Sequence, residues 1–180
     1  FVLLGEATHG TQDFYRMRAQ ITRRLIVEGG FDAVAIEGDW PDTWRVNCFV
    51  QGEGDADAEA ALADFKRFPT WMWRNREMRD FILWLREHNA SLSPEARVGV
   101  YGLDLYSMYQ SADAVIRYLE RVDPEQAAMA RDRYAALDHV REPQAYGYAT
   151  AVGARPDARE GVVAQLLQLR ADARLHLLQD

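Results

Sequence analysis

The apolar and polar positions in the first forty residues predict a strand, a helix and a second strand. Residues 1–6 (FVLLGE) and 31–37 (FDAVAIE) are short apolar runs bounded by glycine. Such runs are typical of buried strands in a parallel sheet. Between them apolar residues recur every three or four positions, which predicts a helix. Its predicted inward positions are Phe14, Met17, Ile21 and Leu25.

Residues typical of helix ends flank the segment that the periodicity predicts to be helical. Thr11 can cap its start, and Gly29 with Gly30 can end it in a left-handed turn. Strand, helix and strand together form one βαβ unit, in which the strands are parallel and the crossover is right-handed.

The same order of elements returns in the middle of the chain. Residues 75–89 (NREMRDFILWLREHN) have an apolar face at helical spacing, and residues 97–105 (RVGVYGLDL) form a third apolar run. A helix followed by a short buried strand is expected in an α/β fold. The predicted inward positions of this helix are Met78, Phe81, Ile82 and Leu85.

The second half of the chain is predicted to be helical. Residues 111–122 and 124–137 have helical periodicity, and the second segment has Asp123 as N-cap and Pro124 at its first position. Residues 140–160 combine proline, glycine and charge without a period, which predicts a long loop. We therefore predict an α/β fold, a parallel sheet of βαβ units flanked by helices, with a helix-rich second half.

Length and composition favour one globular domain over residues 1–180. The 180 residues are 48% hydrophobic, which is enough for a sizeable core. The chain begins without methionine inside an apolar run and ends within an amphipathic pattern. We therefore expect it to be the N-terminal part of a longer domain.

Charge and cysteine content exclude several partners. A net charge of -7 and a pI near 5.1 do not offer the clustered cations that bind nucleic acid or an anionic membrane. No apolar run approaches the roughly 18 residues of a membrane span. Cys48 is the single cysteine and has no histidine beside it, so neither a disulfide nor a thiol nucleophile is predicted. We expect a small-molecule substrate and a reducing, cytoplasmic setting, and the oligomeric state stays open.

Chemically active residues follow each predicted strand. Glu6 and His9 come at the end of the first strand, Glu37 closes the second and Asp104 closes the third. The carboxyl ends of parallel strands meet at one edge of an open sheet, where ligands bind. Each residue has a structural alternative as a turn, cap or loop residue, but their joint placement favours a functional site.

Arg18 lies on the predicted apolar face of the first helix. On a helical wheel it is about 40° from Phe14 and within about 20° of Leu25. A guanidinium on that face needs a carboxylate, which we expect to be Glu37 or Glu6. Extension past the sheet edge into solvent is the structural alternative.

Several familiar catalytic motifs are excluded. The GEATHGT segment (residues 5–11) lacks the lysine of a phosphate-binding loop, and no G-x-S-x-G elbow occurs. Glu6 and His9 have the spacing of a helical di-iron pair, but the flanking glycines favour a turn. Activation of water by His9 remains, oriented by a carboxylate, with Arg18 available to a developing oxyanion.

Four ordered segments resemble the erythromycin esterase family. They are LLGEATHGTQDFYRMRAQITRRLI, FDAVAIEGDWPDTWRVN, RFPTWMWRNREM and VYGLDLYSM, within residues 2–109. The resemblance implies a hydrolase of esters or lactones of macrolide-like or other bulky substrates, in the setting of antibiotic resistance. In that family the histidine of GEATHG is the proposed general base, surrounded by the glutamate of the same segment, the arginine of the next helix and the glutamate ending the second strand. These correspond to His9, Glu6, Arg18 and Glu37.

The resemblance is incomplete at the far end. Members of the family carry further histidines in an H-x-x-D-A-like segment, which this chain lacks; His139 and His176 stand in other contexts. Besides the cofactor-free hydrolase, two alternatives stay open. One is a metal-dependent hydrolase with Glu6, His9 and Glu37 as ligands, which we do not favour because the ligands are too few. The other is a ligand-binding or biosynthetic accessory protein.

Tryptophans provide the candidate substrate contacts. Trp40, Trp71 and Trp73 are predicted to wall a broad apolar cleft for a large ligand, together with Asp104 at the strand end. Packing in the core is the alternative, and it is the commoner outcome for aromatic residues at these spacings.

Overall fold

The computed structural model describes residues 1–67, 69–104, 106–135, 148–154 and 158–176. Contacts divide the chain into two units, Phe1–Leu105 and Tyr106–Asp180, each with its own apolar core. The first unit contains α1 (Gln12–Gly29), β1 (Ala33–Asp39), α2 (Trp40–Val50), α3 (Ala58–Ala61), α4 (Arg76–Ala90) and β2 (Gly99–Asp104), with 3₁₀ turns at Thr70–Met72 and Pro94–Ala96. The second contains α5 (Met108–Val122), α6 (Pro124–Tyr134), a helical turn at residues 148–151 and α7 (Arg159–His176).

The strands β1 and β2 form a small parallel sheet. Ala33 pairs with Gly99 and Ala35 with Tyr101, and the register shifts before Asp39. Helices α2 to α4 connect the two strands, so that strand, helices and strand make a βαβ crossover. The predicted α/β class, a parallel sheet flanked by helices, is confirmed.

The strand predicted for residues 1–6 is wrong. These residues pair with no strand among the described parts of the chain, and Phe1, Val2 and Leu3 are exposed. An apolar run becomes a strand only where a neighbouring strand takes up its backbone hydrogen bonds. The βαβ unit therefore forms after α1 rather than around it.

Helix α1 has nearly the predicted bounds but a different buried face. It ends at Gly30, whose φ of +68° is the left-handed conformation expected there. Tyr15 and Ile26 are buried, whereas Met17 and Ile21 from the predicted inward face are exposed. The face differs because α1 packs mainly against α4 and not against the sheet.

The later helices follow the prediction closely. Asp123 accepts a hydrogen bond from the amide of Gln126 at 3.1 Å and so caps α6, whereas Thr11 makes no side-chain cap at α1. Of the loop predicted for residues 140–160, residues 140–147 and 155–157 lie outside the described residues. The described part is not all loop, because residues 148–151 form a helical turn and α7 begins at Arg159. No described helix is both long enough and apolar enough to cross a membrane.

Helix α4 buries all four predicted positions, Met78, Phe81, Ile82 and Leu85.

Buried side chains close the outer edge of β2. Asn89 accepts a hydrogen bond from the Val98 amide at 2.9 Å and donates to the carbonyls of Val98 and Val50, both at 3.0 Å. Asn47 accepts from the Val100 amide at 2.9 Å. Two helix side chains thus satisfy backbone groups that another strand would otherwise satisfy.

Candidate functional site

The site begins at a turn that strongly favours glycine. Gly10 has a φ of +83°, and a Cβ atom there would lie 3.0 Å from the nearest atom of the Trp71 ring. A side chain at this position would adopt a strained backbone conformation and displace the indole. This contact holds the turn carrying Glu6 and His9 against the segment Thr70–Met72.

Glu6 contacts both a histidine and an arginine. Its Oε1 atom lies within hydrogen-bonding distance of His9 Nδ1, and its Oε2 atom lies 2.8 Å from Arg18 Nη2. The exposed fraction is 9% for the side chain of Glu6, 23% for Arg18 and 44% for His9. These three residues, which we call the Arg18–Glu6–His9 relay, run from a partly buried cation to an accessible imidazole. Arg18 has the carboxylate partner that its position required, and that partner is Glu6.

The relay determines which nitrogen of His9 is free to react. In a neutral imidazole one ring nitrogen carries the proton and the other accepts one, and a hydrogen-bonded carboxylate favours the proton on the nitrogen facing it. Glu6 faces Nδ1. The Nε2 atom is therefore the one available as a base.

Two aromatic rings enclose the guanidinium of Arg18. Its Cζ atom lies 4.7 Å from the centre of the Tyr15 ring and 5.8 Å from the centre of the Trp73 ring. The two rings are perpendicular, with centres 6.3 Å apart. Contacts of a cation with aromatic faces are attractive, and more so where water is partly excluded. We call these two rings the aromatic clamp.

Tyr15 keeps its hydroxyl neutral in this setting. Burial raises the pKa of Tyr15 above its usual value, and the negative charge of Glu6 adds to the rise, against opposing contributions from Arg18 and the Gly10 amide. A neutral hydroxyl beside the relay adds no further negative charge to compete with Glu6 for Arg18.

Glu37 joins the site through its backbone. Its carbonyl oxygen accepts a hydrogen bond from Trp73 Nε1 at 2.8 Å. Its side chain lies on the open face of β1 with Ala33 and Ala35, while the alternate side chains face the core. Among the described residues the Glu37 carboxylate makes no hydrogen bond or ion pair. Of the two partners considered for Arg18, Glu37 and Glu6, it is therefore Glu6 that forms the contact. The strand also continues two residues past Glu37, to Asp39.

The carboxylates that gather at the carboxyl ends of the strands differ from the predicted set of Glu6, Glu37 and Asp104, of which Asp104 is present. Asp39 and Asp104 are register partners there. Asp42, in the first turn of α2, lies close enough to Asp39 and Asp64 for electrostatic repulsion between the carboxylates. Burial, followed by these two charges, raises the pKa of Asp42 to about 6.

The predicted tryptophans fall into different environments. Trp40 stacks on Trp44 at 5.9 Å and on Tyr101 at 6.1 Å between ring centres, and all three rings are partly exposed. Trp71 is also partly exposed beside Gly10, whereas Trp73 packs against the core and Arg18.

Sequence reasoning missed three residues that build the site. Tyr15 lies three positions before Arg18 and so shares its helix face, a signal that was present in the pattern. Tyr101 had no local signal. Asn75 accepts a hydrogen bond from the Met78 amide at 2.8 Å, and its amide group donates to the carbonyls of Trp71 at 3.2 Å and Met72 at 3.0 Å. The side chain of Asn75 thereby caps α4 and fixes the turn that carries both tryptophans.

The described residues include no group of three or more His, Cys, Asp or Glu side chains that could hold a metal ion. Glu6 and His9 are together, but Glu37 does not join them.

The chain is similar to proteins of known family. The family described as erythromycin esterase matches residues 26–178. Erythromycin esterase type II from Escherichia coli is 27% identical over 104 residues, which cover 58% of this chain and 23% of that protein. A solved structure of a succinoglycan biosynthesis protein is 28% identical, with a TM-score of 0.59, over 74% of this chain and 32% of the other. A second solved structure, from Bacillus cereus, is 24% identical with a TM-score of 0.57 and shows similarity of fold alone.

These matches concern only part of longer relatives. The aligned residues make up less than a quarter of the Escherichia coli protein and about a third of each solved structure. The family match contains Glu37, Trp40 and Trp71 and begins after His9 and Arg18.

Proposed function

The chain belongs to the erythromycin esterase family, and from this premise we propose that it supplies the histidine base of a hydrolase that cleaves an ester or a lactone. The observation that carries this proposal is the Arg18–Glu6–His9 relay, in which a buried carboxylate holds one nitrogen of an accessible imidazole. Similarity to a curated erythromycin esterase supports the same class of reaction.

In the proposed reaction His9 acts first as a base and then as an acid. Its Nε2 atom takes a proton from water while the water oxygen attacks the carbonyl carbon, and Glu6 stabilises the imidazolium that forms. The tetrahedral intermediate then collapses, the acyl carbon–oxygen bond breaks, and the imidazolium returns the proton to the departing alcohol oxygen. One water is consumed, and an acid and an alcohol are formed, on one molecule in the case of a lactone.

Arg18 is proposed to orient Glu6. The guanidinium is paired with Glu6 and enclosed by Tyr15 and Trp73. This arrangement supports an orienting role better than the contact with an oxyanion that the sequence suggested, since the cation already faces a carboxylate.

The substrate is proposed to be bulky and largely apolar. Trp40 and Trp71 leave ring surface exposed, and Trp40 belongs to a stack with Trp44 and Tyr101. Partly exposed aromatic rings suit ligands with extended apolar surface. A macrolide lactone is the first substrate to test, because the curated relative is named for erythromycin.

The experiment compares two histidines of the same chain. Hydrolysis of a macrolide lactone and of a panel of aryl esters is measured for the unmodified protein, His9→Gln and His88→Gln. We expect His9→Gln to lower kcat/KM by about 100-fold or more, and His88→Gln to leave it unchanged. His88 is the matched control because it is partly buried and stacked on Trp84, on α4. Equal activity of His9→Gln and the unmodified protein, at equal thermal stability, would refute the proposal.

A second candidate is ligand binding in biosynthesis without hydrolysis. It is favoured by the similarity to a succinoglycan biosynthesis protein over 74% of this chain. Saturable binding of a panel compound, together with no turnover in the unmodified protein, would support this candidate over the hydrolase.

A further inference from the structure

We infer that Trp73 is a positioning residue, which ties strand β1 to Arg18 and through it holds the histidine of the relay in one tautomer. The inference rests on the proposed function in one respect, the role of His9 as the reacting group. No local sequence pattern assigns Trp73 this role, and its exposed neighbour Trp71 has different contacts.

Trp73 connects three separate parts of the first unit. Its indole N–H donates to the Glu37 carbonyl at 2.8 Å, which anchors it to β1. Its ring faces the Arg18 guanidinium at 5.8 Å and meets the Tyr15 ring edge-on at 6.3 Å, which anchors it to α1. It also packs on the apolar core of the unit. A side chain fixed at both its polar and its apolar parts has little freedom to move.

Arg18 depends on such support because it has few other partners. Within the described parts of the chain its one ion pair is with Glu6, at 2.8 Å, and its side chain is 23% exposed. A flexible arginine held by one carboxylate can sample other rotamers, at little cost, wherever water reaches it. Tyr15 and Trp73 approach its guanidinium from two directions, because their ring planes are perpendicular. The clamp therefore limits the guanidinium to positions that face Glu6.

The position of the guanidinium in turn determines which oxygen of Glu6 faces Arg18 and which faces His9. With Oε2 held by Arg18, Oε1 is the atom that faces His9 Nδ1. A carboxylate that could rotate freely would hold the imidazole less firmly, and the tautomer would be less biased. Trp73 thus acts on His9 through Arg18 and Glu6, without touching it.

Trp84 provides a matched control within the same chain. It is also half-buried against the same core, and its ring also faces an arginine, Arg23, at 4.9 Å. Arg23 donates to the Asp80 carbonyl at 2.9 Å and has no contact with the relay. Substitution of Trp84 therefore removes apolar and cation–π contacts comparable to those of Trp73, but at a place where they do not involve Glu6 or His9.

The test uses Trp73→Phe, Trp73→Leu, Trp84→Phe and Trp84→Leu in the full 180-residue chain. Nitrogen-15 spectra of the histidine rings, recorded without substrate, report which nitrogen of His9 carries the proton. We expect the unmodified protein and both Trp84 variants to keep the Nδ1–H form. We expect both Trp73 variants to shift towards the Nε2–H form that is usual for free histidine. Trp73→Phe keeps one aromatic ring and loses the indole N–H together with the second, fused ring. It is the milder change, so it provides the test if Trp73→Leu does not fold.

Kinetics on a substrate that the unmodified protein hydrolyses provide the second readout. We expect Trp73→Phe to lower kcat by about 10- to 100-fold with a change in KM of less than about twofold. Unchanged His9 spectra in Trp73→Phe, or the same shift in Trp84→Phe, would overturn the inference. Because the spectra need no turnover, an inactive protein with the expected tautomer shift would count against the hydrolase alone.

Discussion

At the scale of single residues, Glu6 makes the decisive contacts of the site. Its carboxylate is 9% exposed and meets both Arg18 and His9. Removing the negative charge of Glu6 would leave the partly buried guanidinium of Arg18 without a counter-charge. It would also leave His9 without its hydrogen-bond partner, so both contacts depend on this one carboxylate.

We expect Glu6→Gln to lower the free energy of unfolding by about 1 to 3 kcal/mol. This is less than the loss for a fully buried pair, because Arg18 stays partly exposed to water. Urea unfolding at neutral pH measures the change. Glu28→Gln is the control, because Glu28 pairs with Arg24 on the exposed surface of α1, the helix that also carries Arg18, and it should leave stability unchanged. Equal effects of the two substitutions would contradict the assignment of Glu6 as the buried partner.

The raised pKa of Asp42 leads us to expect that the free energy of unfolding depends on pH. Its pKa is raised to about 6 in the folded protein, from about 3.8 in an unfolded chain. The folded state therefore binds the proton more tightly, and the contribution of Asp42 is fully present below about pH 4 and is lost as the pH rises through 6. Asp42→Asn should make the protein more stable by about 1 kcal/mol at pH 7, after allowance for solvent screening.

Urea unfolding at several pH values tests this prediction. The difference between Asp42→Asn and the unmodified protein should grow between pH 4 and pH 6 and stay level above that. A difference that is the same at pH 4 and pH 7 would show that ionisation of Asp42 does not cause it.

At the scale of elements, β2 depends on side chains of neighbouring helices. Asn89 is 1% exposed and satisfies three backbone groups of two residues, Val98 and Val50. Removing a buried partner costs more than the bond itself, because the groups left behind stay without water.

We therefore expect Asn89→Ala to lower the free energy of unfolding by about 2 to 4 kcal/mol. Gln51→Ala is the comparison, because Gln51 donates a single bond, of 3.2 Å, to the same Val98 carbonyl. It should cost about 1 kcal/mol or less. Thermal or urea unfolding of both variants decides between them, and a smaller loss for Asn89→Ala than for Gln51→Ala would argue against this role.

The accuracy of the sequence predictions differed between elements for a physical reason. The buried face of α4 and the cap of α6 were predicted correctly, because helical periodicity and capping depend on residues three or four positions apart. The face of α1 was wrong because its packing partner is α4, more than forty positions later in the chain.

At the scale of the whole molecule, the chain has two units with separate cores. All residues proposed to act in catalysis lie in the first unit, and the family match extends from residue 26 into the second. The longer relatives contain about three to four times the aligned length.

The sequence by itself determined the fold class, most of the helices and the set of residues from which the relay is formed. Glu6 and His9 were selected because they follow an apolar run and are flanked by Gly5 and Gly10, and Arg18 because of its place on the helical wheel. The need of Arg18 for a carboxylate also followed from its place on the helix.

Only the tertiary structure decided which carboxylate Arg18 takes, and which residues support it. It selected Glu6 over Glu37, and it brought Trp73 beside Arg18 from more than fifty positions away. It also left residues 1–6 without a strand partner. These outcomes depend on contacts between distant segments, whose energies arise only when the chain has closed the loops between them. A pattern of neighbouring residues contains no record of such contacts.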